Sequence, residues 1–290
     1  MARESSIRKH AMLVSARLGR PKRKVTQDEA TRLVHDKYRS APKSGSFHTN
    51  LYDEADLRPI LRIYEQWYTH SHKLLTRPWE HGVAIISKKG IPEWERRCNV
   101  ARQEFDDAAR KASDRFPQIL DNARRQNADL FPLIENLYPD AQGFYESFSF
   151  NPVVRPVPVA DDLRVSLGER GVEEARKQLQ ELHAEGLRDV YARLQQKVGH
   201  LSKSFTDYTK GKRLGESVIT NVTDIVAALD CLNIPDAEGN IDAELEAIGT
   251  EISTKLIATT DLETIKTNPV ARAKAAKVAA DLSDKLAGYF

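Results

Sequence analysis

Eleven apolar residues between Val172 and Tyr208 place the strongest constraint on the fold. Val172, Ala175, Leu179, Leu182, Leu187, Val190, Leu194, Val198, Leu201, Phe205 and Tyr208 advance mostly by threes and fours, which is the spacing of one helical face. The run exceeds an ordinary globular helix and predicts a coiled-coil-like helical hairpin or an oligomer seam in the second half of the chain. A basic turn, Lys210-Gly211-Lys212-Arg213, follows it, bracketed by Gly211 and Gly215. A second apolar helix over Val218–Leu232, a linker over Pro235–Asn240 and two further helices, the last rich in alanine, complete this half. Aromatics make up only 7% of the 290 residues and mean hydropathy is −0.53, a balance that suits much solvated helical surface.

The first half alternates between patterns. Met12, Val14, Ala16 and Leu18 repeat with period two, so His10–Leu18 reads as a strand, ended by Gly19-Arg20-Pro21. Lys22-Arg23-Lys24 reads as a charged loop. Thr26 stands three residues before Glu29, a capping-box spacing that starts a helix running to Tyr38. Ser40–Asn50 carries no period and reads as a loop. Leu57, Ile60, Leu61, Tyr64, Trp67 and Tyr68 then share a helical face until Arg77-Pro78 stops it, and Val83–Ile86 is a short strand candidate. Pro92 opens the next helix, with Trp94, Cys98, Ala101, Phe105 and Ala109 on its apolar face.

Ser147–Val159 differs from its surroundings. Pro152, Pro156 and Pro158 all fall at even positions, so the missing N–H groups lie on one edge of a strand. An edge strand, or one paired on a single side, tolerates this, and the Met12–Leu18 strand is its expected partner. The expected fold is therefore mainly α with a small antiparallel β-sheet (α+β), divided into an α+β region over 1–160 and a helical region over 161–290. Too few strands exist to close a five-stranded OB barrel.

Charge is distributed unevenly. Residues 1–43 hold twelve cations against four acids, whereas residues 234–264 hold eight acids against Lys255 alone. No segment has the roughly 18 apolar residues of a membrane span, the N-terminus lacks the apolar core of a secretory signal, and Cys98 and Cys231 are isolated thiols suited to a reducing cytosol. His70 and His72 are two apart and point away from each other on a helix, so no metal is expected. Phosphate-binding, dinucleotide-binding and nucleophile-elbow motifs are all missing from the sequence, and the expectation is a protein without catalytic residues or a cofactor.

The basic cluster Arg17, Arg20, Lys22, Arg23 and Lys24 is suited to binding phosphates with release of counterions, and equally to serving as a solvated loop. Tyr38-Arg39, Lys43, Phe47 and Tyr52 add rings among cations, the combination single-stranded nucleic acid requires. A second patch interleaves Lys203, Lys210, Lys212 and Arg213 with Phe205 and Tyr208, although those two rings continue the long helix's apolar register and read as core. Trp67 and Trp94 also sit on apolar helical faces, which assigns them to the core rather than to base stacking; Trp79 lies on neither face.

The blocks AMLVSARLGRPKRKVTQDEA, RPWEHGVAIISKKGIPEWERR and SFSFNPVVRPVPV, followed by the long helix, resemble in order and character the single-stranded-DNA-binding RNA polymerase cofactors of lytic Pseudomonas podoviruses. More distantly, the chain is similar to a phage and bacterial family with the same element order. The resemblance covers nearly the whole chain and implies a non-sequence-specific single-stranded DNA binder. Such a protein would help a phage RNA polymerase engage melted promoter DNA in the cytoplasm of the infected bacterium. A homo-oligomer is expected, and no membrane partner. The other class open to such a sequence is a structural or adaptor protein that assembles through its long helix.

Overall fold

The structure is a computed structural model that describes residues 6–39, 41, 44–158, 169–209 and 214–289. It is mainly α, 69% helical, with a small antiparallel sheet. In chain order, α1 (Ser6–His10) leads into β1 (Ala11–Gly19), β2 (Lys24–Thr26), α2 (Asp28–Tyr38), β3 (His48–Asn50) and α3 (Glu54–Trp67). A π-turn over Tyr68–His72 connects to α4 (Lys73–Leu75), β4 (Arg77–Glu80), β5 (Val83–Ser87) and α5 (Ile91–Asp114). Next come α6 (Phe116–Asn127), α7 (Phe131–Ile134), α8 (Ala141–Glu146) and β6 (Ser149–Pro156). The long helix α9 (Glu169–Thr206) precedes α10 (Ser217–Ala227), α11 (Leu229–Leu232), α12 (Ala243–Ile252), α13 (Leu262–Thr267) and α14 (Pro269–Ala287).

The main sheet has the order β4-β5-β1-β6, so the proline-bearing β6 is an edge strand beside β1, as the even-numbered prolines require. β1 pairs antiparallel with β5, from Ala11 opposite Ser87 to Val14 opposite Ala84. Gly19 ends β1 against the backbone of Ser147 and Ser149, where a Cβ would sit 3.3 Å from the Ser147 carbonyl and 3.2 Å from the Ser149 nitrogen, so the close approach favours glycine. The sequence reading missed β4 because Arg77-Pro78 looks only like a helix stop. β4 is an edge strand with β5 as its one neighbour in the sheet, the position that tolerates a proline; Pro78 stands opposite Ala84, and Gly82 at φ +73 makes the tight turn into β5.

The chain separates into two compact units, each discontinuous in sequence, and they do not follow a division at residue 160. Unit 1 comprises Met1–Ser15, Thr69–Glu95 and Val153–Phe290; unit 2 comprises Ala16–Tyr68 and Arg96–Pro152. In unit 1, Ile7, Ala11, Trp79, Ile85, Val157 and Ile234 form one buried cluster, with Leu179 and Leu182 packed on it. The most extensive partner of α9 is α14, with α10 and β4 next and equal. Leu194, Val198, Leu201 and Phe205 of α9 are fully buried, as are Ala279 and Leu286 of α14. Burying each of the larger side chains contributes about 2 kcal/mol. The alanines of α14 and Gly199 of α9, whose Cβ would meet Ser283 Oγ at 3.1 Å, let the two helices approach closely. The expected second helix over Val218–Leu232 divides into α10 and α11.

Unit 2 is built around aromatic rings. Trp67 lies 4.7 Å from Phe150, and Phe144 packs at 4.8 Å on Phe116 and 5.1 Å on Phe148 (centroid distances). Asp53 caps α3 by accepting the Ala55 N–H. The capping box expected at Thr26 does not form: Gln27 is the N-cap of α2, without a side-chain hydrogen bond. Thr26 belongs instead to β2, and its hydroxyl meets His48 Nδ1 at 3.3 Å. β2 pairs with β3, so part of each segment read as loop is a two-stranded ribbon.

Candidate nucleic-acid interface

The first basic segment lies in unit 2, on the end of β1 and the strand that follows. Buried Pro21 anchors the connection, while Arg17, Arg20, Lys22 and Lys24 are exposed. Arg23 faces inward by comparison. Its guanidinium sits 3.7 Å from Glu54, and its carbonyl accepts the Leu51 N–H at 2.8 Å. Arg39 is exposed at the C-cap of α2, in the left-handed region at φ 48. Among the described residues, Arg17, Arg20, Lys22, Lys24 and Arg39 have no ion-pair partner, which leaves their charge available to an anion. Lys43 lies outside the described residues.

The β2–β3 ribbon holds the next part of the segment in place. Lys24 is opposite Asn50 and Thr26 opposite His48, and all four side chains are exposed. Gln27 N–H donates to the Phe47 carbonyl at 2.9 Å, and Phe47 N–H donates to Thr31 Oγ1 at 2.9 Å. The Phe47 backbone is therefore fixed to the start of α2 while its side chain remains 42% exposed.

Tyr52 is not available to a base. It is 4% exposed and lies 5.4 Å from both Tyr138, edge-on, and Phe144. Burial, and then Tyr138, push its phenol well above the ordinary range. It belongs to the core because it follows buried Leu51 directly and precedes the Asp53 cap, a position that turns the ring inward. The ring left outside is Tyr38, 70% exposed at the end of α2, with Lys37 Nζ 5.7 Å from its centroid and Arg39 next in sequence. Arg32 and Lys37 add further exposed cations to this face of the sequence.

The second patch lies in unit 1. Lys203 is exposed near the end of α9, and Phe205 is core, as its register predicts. Tyr208 is half-buried with the Arg272 guanidinium 5.0 Å from its ring centroid. Lys210, Lys212 and Arg213 lie outside the described residues. Trp67, Trp79 and Trp94 are all core. Trp94 Nε1 donates to His72 Nδ1 at 3.1 Å, and burial first, then Lys73, hold the His72 imidazole down to about 4. Among the described residues, no cluster of three His, Cys, Asp or Glu side chains is arranged to hold a metal, and no helix is long and apolar enough to cross a membrane.

One side chain escaped sequence reasoning altogether. Arg77 of β4 is 0% exposed, and none of its guanidinium nitrogens has a hydrogen-bond partner among the described residues. Its position before a proline gave no sign of this burial. Comparison with protein-family models, with curated proteins and with solved structures finds no match for the chain.

Proposed function

We propose that the N-terminal basic surface of unit 2 binds single-stranded DNA with little sequence preference. The observation that carries this reading is the combination of exposed, unpaired cations at Arg17, Arg20, Lys22, Lys24 and Arg39 with exposed rings at Tyr38 and Phe47. Cations of this kind track a phosphate backbone, and rings among them stack on unpaired bases. The resemblance to phage polymerase cofactors extends the proposal to a non-catalytic protein, acting as an oligomer, that assists a phage RNA polymerase at melted promoter DNA in the infected host. A salt-titrated binding assay with single strand, duplex and RNA tests it. Duplex affinity equal to or above that for single strand rejects the reading.

A second reading is an assembly protein that works through α9. It draws on the first turns of that helix, where Val172, Ala175, Leu179 and Leu182 are only half-buried. Such a protein leaves labelled single-stranded DNA unshifted near physiological salt, so the same assay separates the two.

A further inference from the structure

The packing of α14 on α9 brings together cations that lie some 70 positions apart in sequence. From Pro269 to Ala280, α14 carries Arg272, Lys274 and Lys277 and no acid. Lys274 and Lys277 are exposed, as is Lys203 on α9. The two helices are joined at this end by Ser202 Oγ, which donates to the Ala276 carbonyl at 2.9 Å.

Two open clefts meet at Tyr208. One, of about 470 Å³, lies between the end of α9 and α14 and is lined by Tyr208, Arg272 and Lys277. The other, of about 340 Å³, is lined by Tyr208, His200 and Lys203. Among the described residues lining the two clefts, Asp207 is the only carboxylate. Arg272 lies against the Tyr208 ring and donates through Nη1 to the Ile265 carbonyl at 2.9 Å, so the guanidinium is fixed in place. A ring held by an arginine between two clefts with flanking lysines supplies both elements of single-strand recognition, a stacking surface and charge along its approach.

We propose that this α9–α14 surface is a second single-strand contact, binding phosphates through Lys203, Lys274 and Lys277 and a base on Tyr208. The inference rests on the single-strand reading above and makes DNA binding bipartite, with one contact surface on each unit. Arg272 is a positioning residue for the ring.

The test uses the full chain and labelled oligo-dT over a range of salt. Neutralising Lys203, Lys274 and Lys277 together to Gln removes up to three phosphate contacts. The salt slope then falls by up to about 2, and affinity at 0.1 M salt falls by up to about a hundredfold. Tyr208→Ala weakens binding about five- to a hundredfold at an unchanged slope, while Tyr208→Phe keeps wild-type affinity. The same measurements on an Arg20→Gln, Lys22→Gln, Lys24→Gln variant report on unit 2 independently. If wild-type protein binds no single strand, both readings fall. If it binds and the folded unit 1 variants keep wild-type affinity and slope, this proposal falls and the unit 2 surface stands.

Discussion

Replacing Arg77 with methionine should stabilise unit 1. The guanidinium is fully buried and its nitrogens find no acceptor among the described residues, and the two carboxylates that act on it electrostatically are hydrogen-bonded to other groups. Asp189 is bound by Arg193 at 2.7 Å, and Asp242 accepts from Tyr191 OH at 2.9 Å and from the Leu245 N–H at 2.8 Å. Burial, then Arg193, pull the Arg77 pKa down to about 10 from 12.5, against the opposing pull of Asp189 and Asp242. At about 1.4 kcal/mol per unit, that displacement is a penalty on the order of 3 kcal/mol for keeping the charge inside. Methionine retains most of the apolar stem, and the smaller tip gives back about 1 kcal/mol of packing. The balance is a gain of about 2 kcal/mol, within the range found when buried ionic groups are replaced by apolar side chains of similar volume. For a unit of this size it amounts to about 4–8 °C in thermal unfolding. An NMR titration supplies an independent readout. His183 is held below its ordinary pKa by burial first and Arg77 second, so its pKa should rise in the variant. A variant that unfolds at lower temperature than wild type, with His183 unmoved, would refute the reasoning by showing that Arg77 has a buried acceptor.

The remaining predictions address acid stability and the unit 2 surface. His72 titrates near 4 when folded and 6.5 when unfolded, so the unfolded chain binds more protons between those values. Stability present above pH 6.5 is lost as pH falls through 4, by on the order of 3 kcal/mol, and His72→Gln should flatten that part of a denaturation–pH series. Neutralising Arg20, Lys22 and Lys24 should lower the single-strand salt slope by up to about 0.7 per contact while shifting stability by about 0.5 kcal/mol or less per site. Tyr38→Ala and Phe47→Ala should each cost about 1–3 kcal/mol of binding in fluorescence anisotropy, with the slope unchanged. Tyr52→Ala should instead cost about 3–5 kcal/mol of folding stability by urea unfolding and leave the folded fraction's affinity intact.

Elements with a long period or a strict chemical constraint were legible in the sequence. The register from Val172 to Phe205 describes one rod, realised as α9, and the even-numbered prolines of β6 restrict it to a sheet edge. Short elements defined by their partners were not. β2 and β3 have three residues each, and Lys24-Val25-Thr26 has no pattern that separates it from a charged loop until His48–Asn50 pairs with it. β4 was hidden by Pro78, which reads as a breaker wherever the edge position is unknown. The two units were hidden for a related reason. β1 and β6 each cross from one unit to the other within a single strand, and no change in composition marks either crossing.

The candidate surface shows the same limit at the level of single side chains. Charge is a property of residue type, so the basic segment is visible in the sequence, and most of its cations do face solvent. Exposure of a ring depends on what surrounds it. Tyr38 and Tyr52 lie fourteen positions apart with cations upstream of both; Lys37 and Arg39 flank the first and Leu51 and Asp53 the second, but flanking residues alone do not fix which ring is buried. The fold separates them. Tyr38 ends a helix whose last turn is polar, and it projects outward beside Lys37. Tyr52 sits between buried Leu51 and the Asp53 cap, where Tyr138 and Phe144 close over it. Substituting the two tyrosines therefore separates recognition from folding: loss of affinity at constant stability assigns Tyr38 to the strand's path, and loss of stability at constant affinity assigns Tyr52 to the core.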